Sequence, residues 1–455
     1  MCDDDNDAHF SNKGFTAISI IYFVISIIKK LKIYLLNEFY TFSNIKSAEK
    51  TMAVQSKLTT CIFIDILEAI PVEDWCRTWA AVRTIMLRMT SKTVKETIDK
   101  MGPSIPAVIR LKRSFLNKRR VCTSEENLKK ALDQALETAS RCNIITLDVS
   151  RCNINCEIKQ LLELLKHCKG LLDLNLGNNQ IEDEELVILA PALERLNLRK
   201  LGLGNSKIWE GAEKLALVLA GNNELNSIDL NYNRIGYKGV FFLTKALNQW
   251  PILRKLKLNY NHIYDAGLTS LAEVLPQCQS LTHLDLGNNL IRDIEALSSA
   301  LEKLTKIAYL NLDSNTIGKN GLKSLAGVLP NLGNLRHLNV CCNRINEEGA
   351  CSFAGVLPQC SSLVHLDLSE NMFGDVGASS IAGVLPQCLS LVHLNLSQNK
   401  IGDIGACSFA EVLDCAQCSA LRRLNLARNY FRSVGTERLT GVLTQCTTLT
   451  CSYHS

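Results

Sequence analysis

A curved α/β solenoid, with short parallel strands along one side and helices along the other, is the fold class that this 455-residue sequence predicts. Three observations predict it. One phrase recurs from Leu335 to Cys446 as LNVCCNRI, LDLSENMF, LNLSQNKI and LNLARNYF, placing Asn343, Asn371, Asn399 and Asn429 at one point, 28, 28 and 30 residues apart. A fixed period of that size marks a stacked repeat. The phrase, L-x-x-L-x-L-x-x-N, runs backwards through Asn315, Asn289, Asn261, Asn233, Ser206, Asn179 and Cys152, which makes eleven copies, two of them without Asn. Inside each copy the hydrophobic period switches from that of a strand to that of a helix.

Each element follows from its residues. Leu363, Leu366 and Leu368 fit a strand facing a core, while His365, Asp367 and Ser369 point to the other side. Asn371 ends the strand. A buried Asn has two donors and an acceptor, so it can satisfy the backbone of a tight turn in its own coil and the next. Each such bond is worth about 0.5–1.5 kcal/mol net, while an unpaired buried backbone group costs about 1–3 kcal/mol. The row therefore acts mainly against unpaired groups. Cys152 and Ser206 can do only part of this work, which predicts looser early coils. A turn through Gly374 and Gly377 then leads into a helix with Ala378, Ile381, Ala382 and Leu385 on one face, and Pro386 stops it. Strands stack about 4.8 Å apart but helices need about 8–10 Å, so such a stack bends with its strands inside.

This phrase resembles the leucine-rich repeat family, in the long, helix-containing type found in ribonuclease inhibitor, the Ran GTPase-activating protein and the sensor regions of nucleotide-binding immune receptors. The resemblance covers residues 122–455 and implies a horseshoe with parallel strands concave and helices convex. It is specific for fold and shared by proteins of many functions.

Three regions follow. Residues 1–51 form an N-terminal tail with a short apolar segment, Phe15 to Ile28. As a helix that segment would be about 21 Å long, short of the roughly 30 Å of a bilayer core. Its acidic MCDDDND start lacks the positive charge that a signal peptide places there. Extended to residue 36 it takes in Lys29, Lys30 and Lys32, and the membrane reading is an interfacial helix anchored by them. Residues 52–121 lose the period and read as a helical, basic region, twelve Lys and Arg standing against Glu96 and Asp99 between positions 77 and 120. Within it, residues 58–99 resemble an F-box, with Ile70, Pro71, Ser91, Lys92 and Asp99 near the motif's places, and that resemblance implies docking to a cullin-ligase adaptor. The competing reading is a helical cap over the first coil. With only Trp79 and Phe115 as aromatics, the basic stretch reads as a solvated face, and no nucleic-acid partner is expected. Residues 122–455 hold the eleven repeats. The helix Thr123 to Ser140 opens them, one near Val434–Leu443 closes them, and TQCTTLTCSYHS starts a twelfth copy.

Composition excludes several classes. The net charge of +5 is ordinary for this length, and nineteen cysteines are too few for a disulfide scaffold. Cys168, Cys278, Cys360, Cys388, Cys418 and Cys446 all stand three residues before the first strand Leu, so they read as one buried apolar position in a reducing compartment, cytoplasmic or nuclear, with membrane association through residues 15–36 the alternative. No Gly-x-x-x-x-Gly-Lys-Ser/Thr loop or His-Glu-x-x-His motif is present. Cys415 and Cys418 form a lone C-x-x-C that does not make a zinc site. No cofactor, metal or catalytic residue is expected.

The concave face carries the functional expectation. One outward position holds Lys255, His283, Tyr309, His337, His365, His393 and Arg423, and the next holds Lys257, Asp285, Asn311, Asn339, Asp367, Asn395 and Asn425. Flat rows of this kind do not converge on a metal. Together with Tyr232, Tyr260 and Tyr309 as amphipathic anchors they suggest a polar surface for a protein partner. The expected function is a non-catalytic protein-interaction scaffold. An F-box-type substrate receptor of a cullin-type ubiquitin ligase, or a small-GTPase regulator resembling the Ran activator, are the alternatives.

Overall fold

A computed structural model describes residues 106–111, 125–141, 143–209, 211–414, 420–443 and 450–452. These form an α/β leucine-rich-repeat solenoid. Thirteen strands make one sheet in chain order, every pair parallel. They are β1 (Pro106–Arg110), β2 (Asn143–Asp148), β3 (Asp173–Asn175), β4 (Lys200–Gly202), β5 (Ser227–Asp229), β6 (Lys255–Lys257), β7 (His283–Asp285), β8 (Tyr309–Asn311), β9 (His337–Asn339), β10 (His365–Asp367), β11 (His393–Asn395), β12 (Arg423–Asn425) and β13 (Thr450–Ser452). Strands β2–β12 carry the eleven phrases, and each is followed by a helix, from Ile158–His167 to Ser433–Leu443. The short β13 is the unfinished twelfth copy.

Strand β1 departs from the sequence reading, which made residues 52–121 helical. Pro106–Arg110 pairs with β2 instead, with a register shift between Ala107 and Val108. The physical reason is local: Val108 and Ile109 favour a pleated, half-buried surface, and proline at a strand's first residue removes no needed ladder bond. The segment has none of the repeat phrase, so periodicity could not reveal it.

The asparagine row reaches one coil backwards, where the sequence reading pointed it forwards. Asn371 Oδ1 accepts from the backbone of Asn343 and Ile345, both at 3.0 Å, in the preceding coil. Its Nδ2 donates to Val340 O at 3.1 Å there and to Leu368 O at 3.0 Å in its own coil. Asn179, Asn233, Asn289, Asn315 and Asn429 repeat the pattern. Cys152 keeps part of it, its thiol donating to Leu111 O at 3.1 Å. The Ser206 hydroxyl is fully buried and has no partner among the described residues.

The turn before each row residue is left-handed. Eleven residues from Arg151 to Arg428, none of them glycine, hold φ between 51° and 60°. Gly374 also has a positive φ, whereas Gly377 sits inside the helix Gly374–Val384 and not in the turn. A Cβ on Gly377 would come 2.8 Å from the Cβ of Ala350 in the helix before it. Gly405 and Gly435 stand equally close to Ala378 and Ala406, so one helix position is kept bare to let successive helices approach. Asp375 completes the contact by accepting the N–H groups of Gly402 and Gly405, both at 2.8 Å, and so caps the following helix from the coil before it.

The core lies between strands and helices. Leu363, Leu366, Leu368, Ala378, Ile381, Ala382 and Leu385 are all buried. Ser369, expected outside, is buried too, its hydroxyl turned onto Asp367. Cys168, Cys278 and Cys388 are buried and Cys360 is half-buried. Trp250 fills the same repeat position, donating its Nε1 to Leu219 O at 2.9 Å. Burial pushes the Cys168 thiol up to about 12 and those of Cys278 and Cys360 to about 11, so they stay protonated. Cys415, Cys418 and Cys446 lie outside the described residues, as do residues 15–36 and 58–99. Among the described residues no helix is long and apolar enough to cross a membrane.

Candidate functional site: a stacked row on the strand face

Strand register turns the outward sequence row into a physical one. Lys255 pairs with His283, His283 with Tyr309, Tyr309 with His337, His337 with His365, His365 with His393, and His393 with Arg423. The rings then stack. His337 and His365 lie 4.2 Å apart with planes 8° from parallel, and His365 and His393 lie 4.2 Å apart at 6°. Tyr309 is tilted against His337 at 6.1 Å and stacked on His283 at 5.7 Å. Tyr309, the three stacked imidazoles and Arg423 line an open concavity of about 430 Å³. Its floor is the strand backbone and its walls are side chains of the two outward rows.

Every imidazole in the row is held below its ordinary pKa. Partial burial is the largest cause for all four, and the rest comes from cations: Lys255, His337 and Lys257 on His283; Arg336 and His393 on His337; His337, His393 and Arg423 on His365; Arg423 on His393. Tyr309 is pushed upward by burial and by the carboxylates of Asp285 and Asp313. The four imidazoles are therefore neutral at physiological pH and offer ring N–H and ring N edges.

The second row, expected to face a partner, also has a structural task. Asp285, Asn311, Asn339, Asp367, Asn395 and Asn425 each accept the N–H two residues ahead, at 2.9–3.3 Å. Asp148, Asn175 and Asp229 do the same. These are turns built by short side chains at the strand ends. Asp285 and Asp367 have a structural task first, and their remaining capacity goes to neighbours, Asn311 donating to Asp285 at 2.9 Å and Asn395 to Asp367 at 3.0 Å. Burial raises the pKa of Asp285. The signal was present in the sequence, since a free partner surface would not restrict nine copies to Asp or Asn. Lys257 breaks the rule and pairs with Asp229 at 2.9 Å.

Tyr232 and Tyr260 do not join the row. They occupy the left-handed turns after β5 and β6, with φ of 59° and 56°. There they stack on each other at 5.1 Å, and Tyr260, His262 and Tyr264 continue the cluster. The predicted residues thus fall into two groups, the row across β7–β12 and an aromatic patch at the rim of the earlier coils. Sequence reasoning missed His262 and Tyr264, which lie further along the same turn as Tyr260.

A continuous parallel sheet with one helix per coil, an internal asparagine row and an outward polar row defines the chain as an α/β solenoid repeat protein. Comparison narrows the class. The family model described as Leucine Rich repeat matches residues 221–243, 303–326, 359–382 and 387–410, and that described as Leucine Rich repeats (2 copies) matches residues 253–299. Ribonuclease inhibitor from Sus scrofa is 33% identical over 112 residues, 24% of this chain and 25% of that protein. NACHT, LRR and PYD domains-containing protein 5 from Mus musculus is 32% identical over 124 residues, 26% of this chain and 10% of that protein. The chain carries leucine-rich repeats, and its matched stretch is similar to ribonuclease inhibitor. It spans a quarter or less of the length of these relatives. Among solved structures it is similar to an internalin from Listeria monocytogenes, with 19% identity and a TM-score of 0.42, covering 71% of this chain and 94% of that one.

Proposed function

We propose that the chain is a non-catalytic binding protein that engages a protein partner across the strand face of β7–β12. The observation that carries this is the in-register row His283, Tyr309, His337, His365, His393 and Arg423, of which all but His283 line an open concavity. An open trough lined by a rigid row suits a surface ligand better than an enclosed small molecule. Tyr309 would supply amphipathic contact area and Arg423 a forked donor, residue types that concentrate binding energy. Similarity to ribonuclease inhibitors, whose name points to a protein target, supports the same class. Buried, protonated thiols at the repeated cysteine position fit a reducing compartment. In the full chain, a photo-crosslinking residue placed at Tyr309 should capture a protein, while one placed at the helix-side Tyr237 should not. Equal capture at both positions would defeat the proposal.

A further inference from the structure

The imidazole row rests on the strand-face reading above and sharpens it. Because His337, His365 and His393 stack face to face at 4.2 Å, both faces of His365 and the inner faces of the other two are occupied, and the row presents mainly ring edges to a ligand. Edges bind by N–H donation. That disfavours ligands which need a stacking platform, nucleobases above all.

The groups surrounding the row set the sign of the ligand. β6 brings Lys255 and Lys257, β9 brings Arg336 beside His337, and β12 brings Arg423; each acts on the rings as a cation. The carboxylates on the packed elements are Asp285 on β7, Asp313 in the turn after β8, and Asp367 and Glu370 at the end of β10. Asp285 and Asp367 are engaged by backbone N–H groups and by Asn311 and Asn395. No carboxylate acts on any of the four imidazoles. The row is thus cation-edged, while its flank toward the strand ends is acidic. A continuous polyanion would lie across both, whereas a short acidic peptide can set its carboxylates on the row alone. Alternate side chains of an extended peptide repeat about every 7 Å, which matches the reach of three stacked rings.

We propose that the His337–His365–His393 stack is a proton-coupled docking site for a carboxylate-rich segment of a protein partner. Unliganded, adjacent rings 4.2 Å apart resist carrying charge together. A carboxylate brought to the ring edges favours the imidazolium and relieves that repulsion, so binding takes up protons. Affinity then rises as pH falls from above the ordinary imidazole range toward 5.5, where glutamate stays mostly ionised.

The test is calorimetry of the full chain with a short glutamate peptide at pH 7.5 and 5.5, in buffers of different ionisation heat. The expected result is a dissociation constant at least about tenfold smaller at pH 5.5, with net proton uptake. The combined H337Q, H365Q and H393Q variant should lose that pH dependence. H365R, which puts a fixed charge in the stack, should bind at pH 7.5 with a flatter profile and guards against a variant that merely folds badly. Absent or pH-independent binding by the unaltered chain overturns the proposal, as does pH dependence retained in the glutamine variant, or preference for oligothymidylate or a lysine peptide. Loss of glutamate binding with crosslinking at position 309 intact defeats this inference and leaves the strand-face reading standing; loss of both defeats both.

Discussion

A single asparagine such as Asn371 joins two coils through five backbone bonds, and the consequences are sharpest where it is replaced. Asn371→Ala would leave two N–H groups and Val340 O buried without their partner, at about 1–3 kcal/mol each before relaxation, while the Leu368 and Ser369 carbonyls keep Asn399 Nδ2 and the Cys342 N–H. A loss above about 3 kcal/mol in urea unfolding is the expected outcome. The reverse change is more informative. Ser206 sits in the same row, fully buried, with a hydroxyl too short to find a partner. Ser206→Asn should therefore stabilise the chain by about 1–2 kcal/mol, and an unchanged urea midpoint would show that the coil around it has closed up. The imidazole row makes a separate prediction about acid. Its four pKa values lie below the ordinary 6.5, so the unfolded chain protonates first. The stability from keeping these rings neutral is intact above about pH 6.5 and is lost as pH falls through the folded-state values. Denaturant midpoints measured from pH 7.5 to 5 should drop less steeply in the combined glutamine variant than in the unaltered chain.

Strands and helices differ in how plainly their residues announce them. Leu363, Leu366 and Leu368 alternate as a strand must, and Ala378, Ile381, Ala382 and Leu385 recur as a helix must; both sets are buried as their spacing dictates. Pairwise devices between coils were harder to read. Asp375 looks like any surface acid at a helix start until the next helix is placed beside it, when its carboxylate meets Gly402 and Gly405. Gly377 looks like a turn residue until Ala350 is seen 2.8 Å from where its Cβ would be. The Asp and Asn of the second outward row show their structural task only when their turns are drawn. For Asp375 and Gly377 the meaning lies in a neighbour about one period away, and for the second row it lies two residues ahead in the same coil. The helix contact gives a direct test, since Gly405→Val must push against Ile401 and Ala378 at once. A destabilisation of about 1–3 kcal/mol is expected, with Asp375→Ala adding about 0.5–2 kcal/mol through the lost cap. Because both changes act on one helix junction, their sum should depart from additivity in the double variant.

Across the whole solenoid each coil touches mainly its neighbours, so stability is close to a sum of coils and of the junctions between them. Junction quality is uneven here. From β7 to β12 the asparagine row is complete, and stacked side chains tie successive strands on the outer face as well. Around β4 the row falls to Ser206, and the outer face offers Gly202 beside the exposed pair Lys200 and Asp173 at 3.3 Å. An exposed pair of that kind adds little, about 0–1 kcal/mol. The chain should consequently open first near β3 and β4 and last through β8–β11. Native-state hydrogen exchange resolves this directly. Backbone amides just past β3 and β4, those of Leu176 and Leu203, bonded to the next strand at 2.8 Å each, should exchange by local opening at low denaturant. Those of Val340 and Leu368 should exchange only with unfolding of the later coils. Ser206→Asn should slow the first set and leave the second unchanged. If the two sets exchange alike in the unaltered chain, the junction at β4 is not the weak point, and the missing amide is compensated elsewhere in that coil.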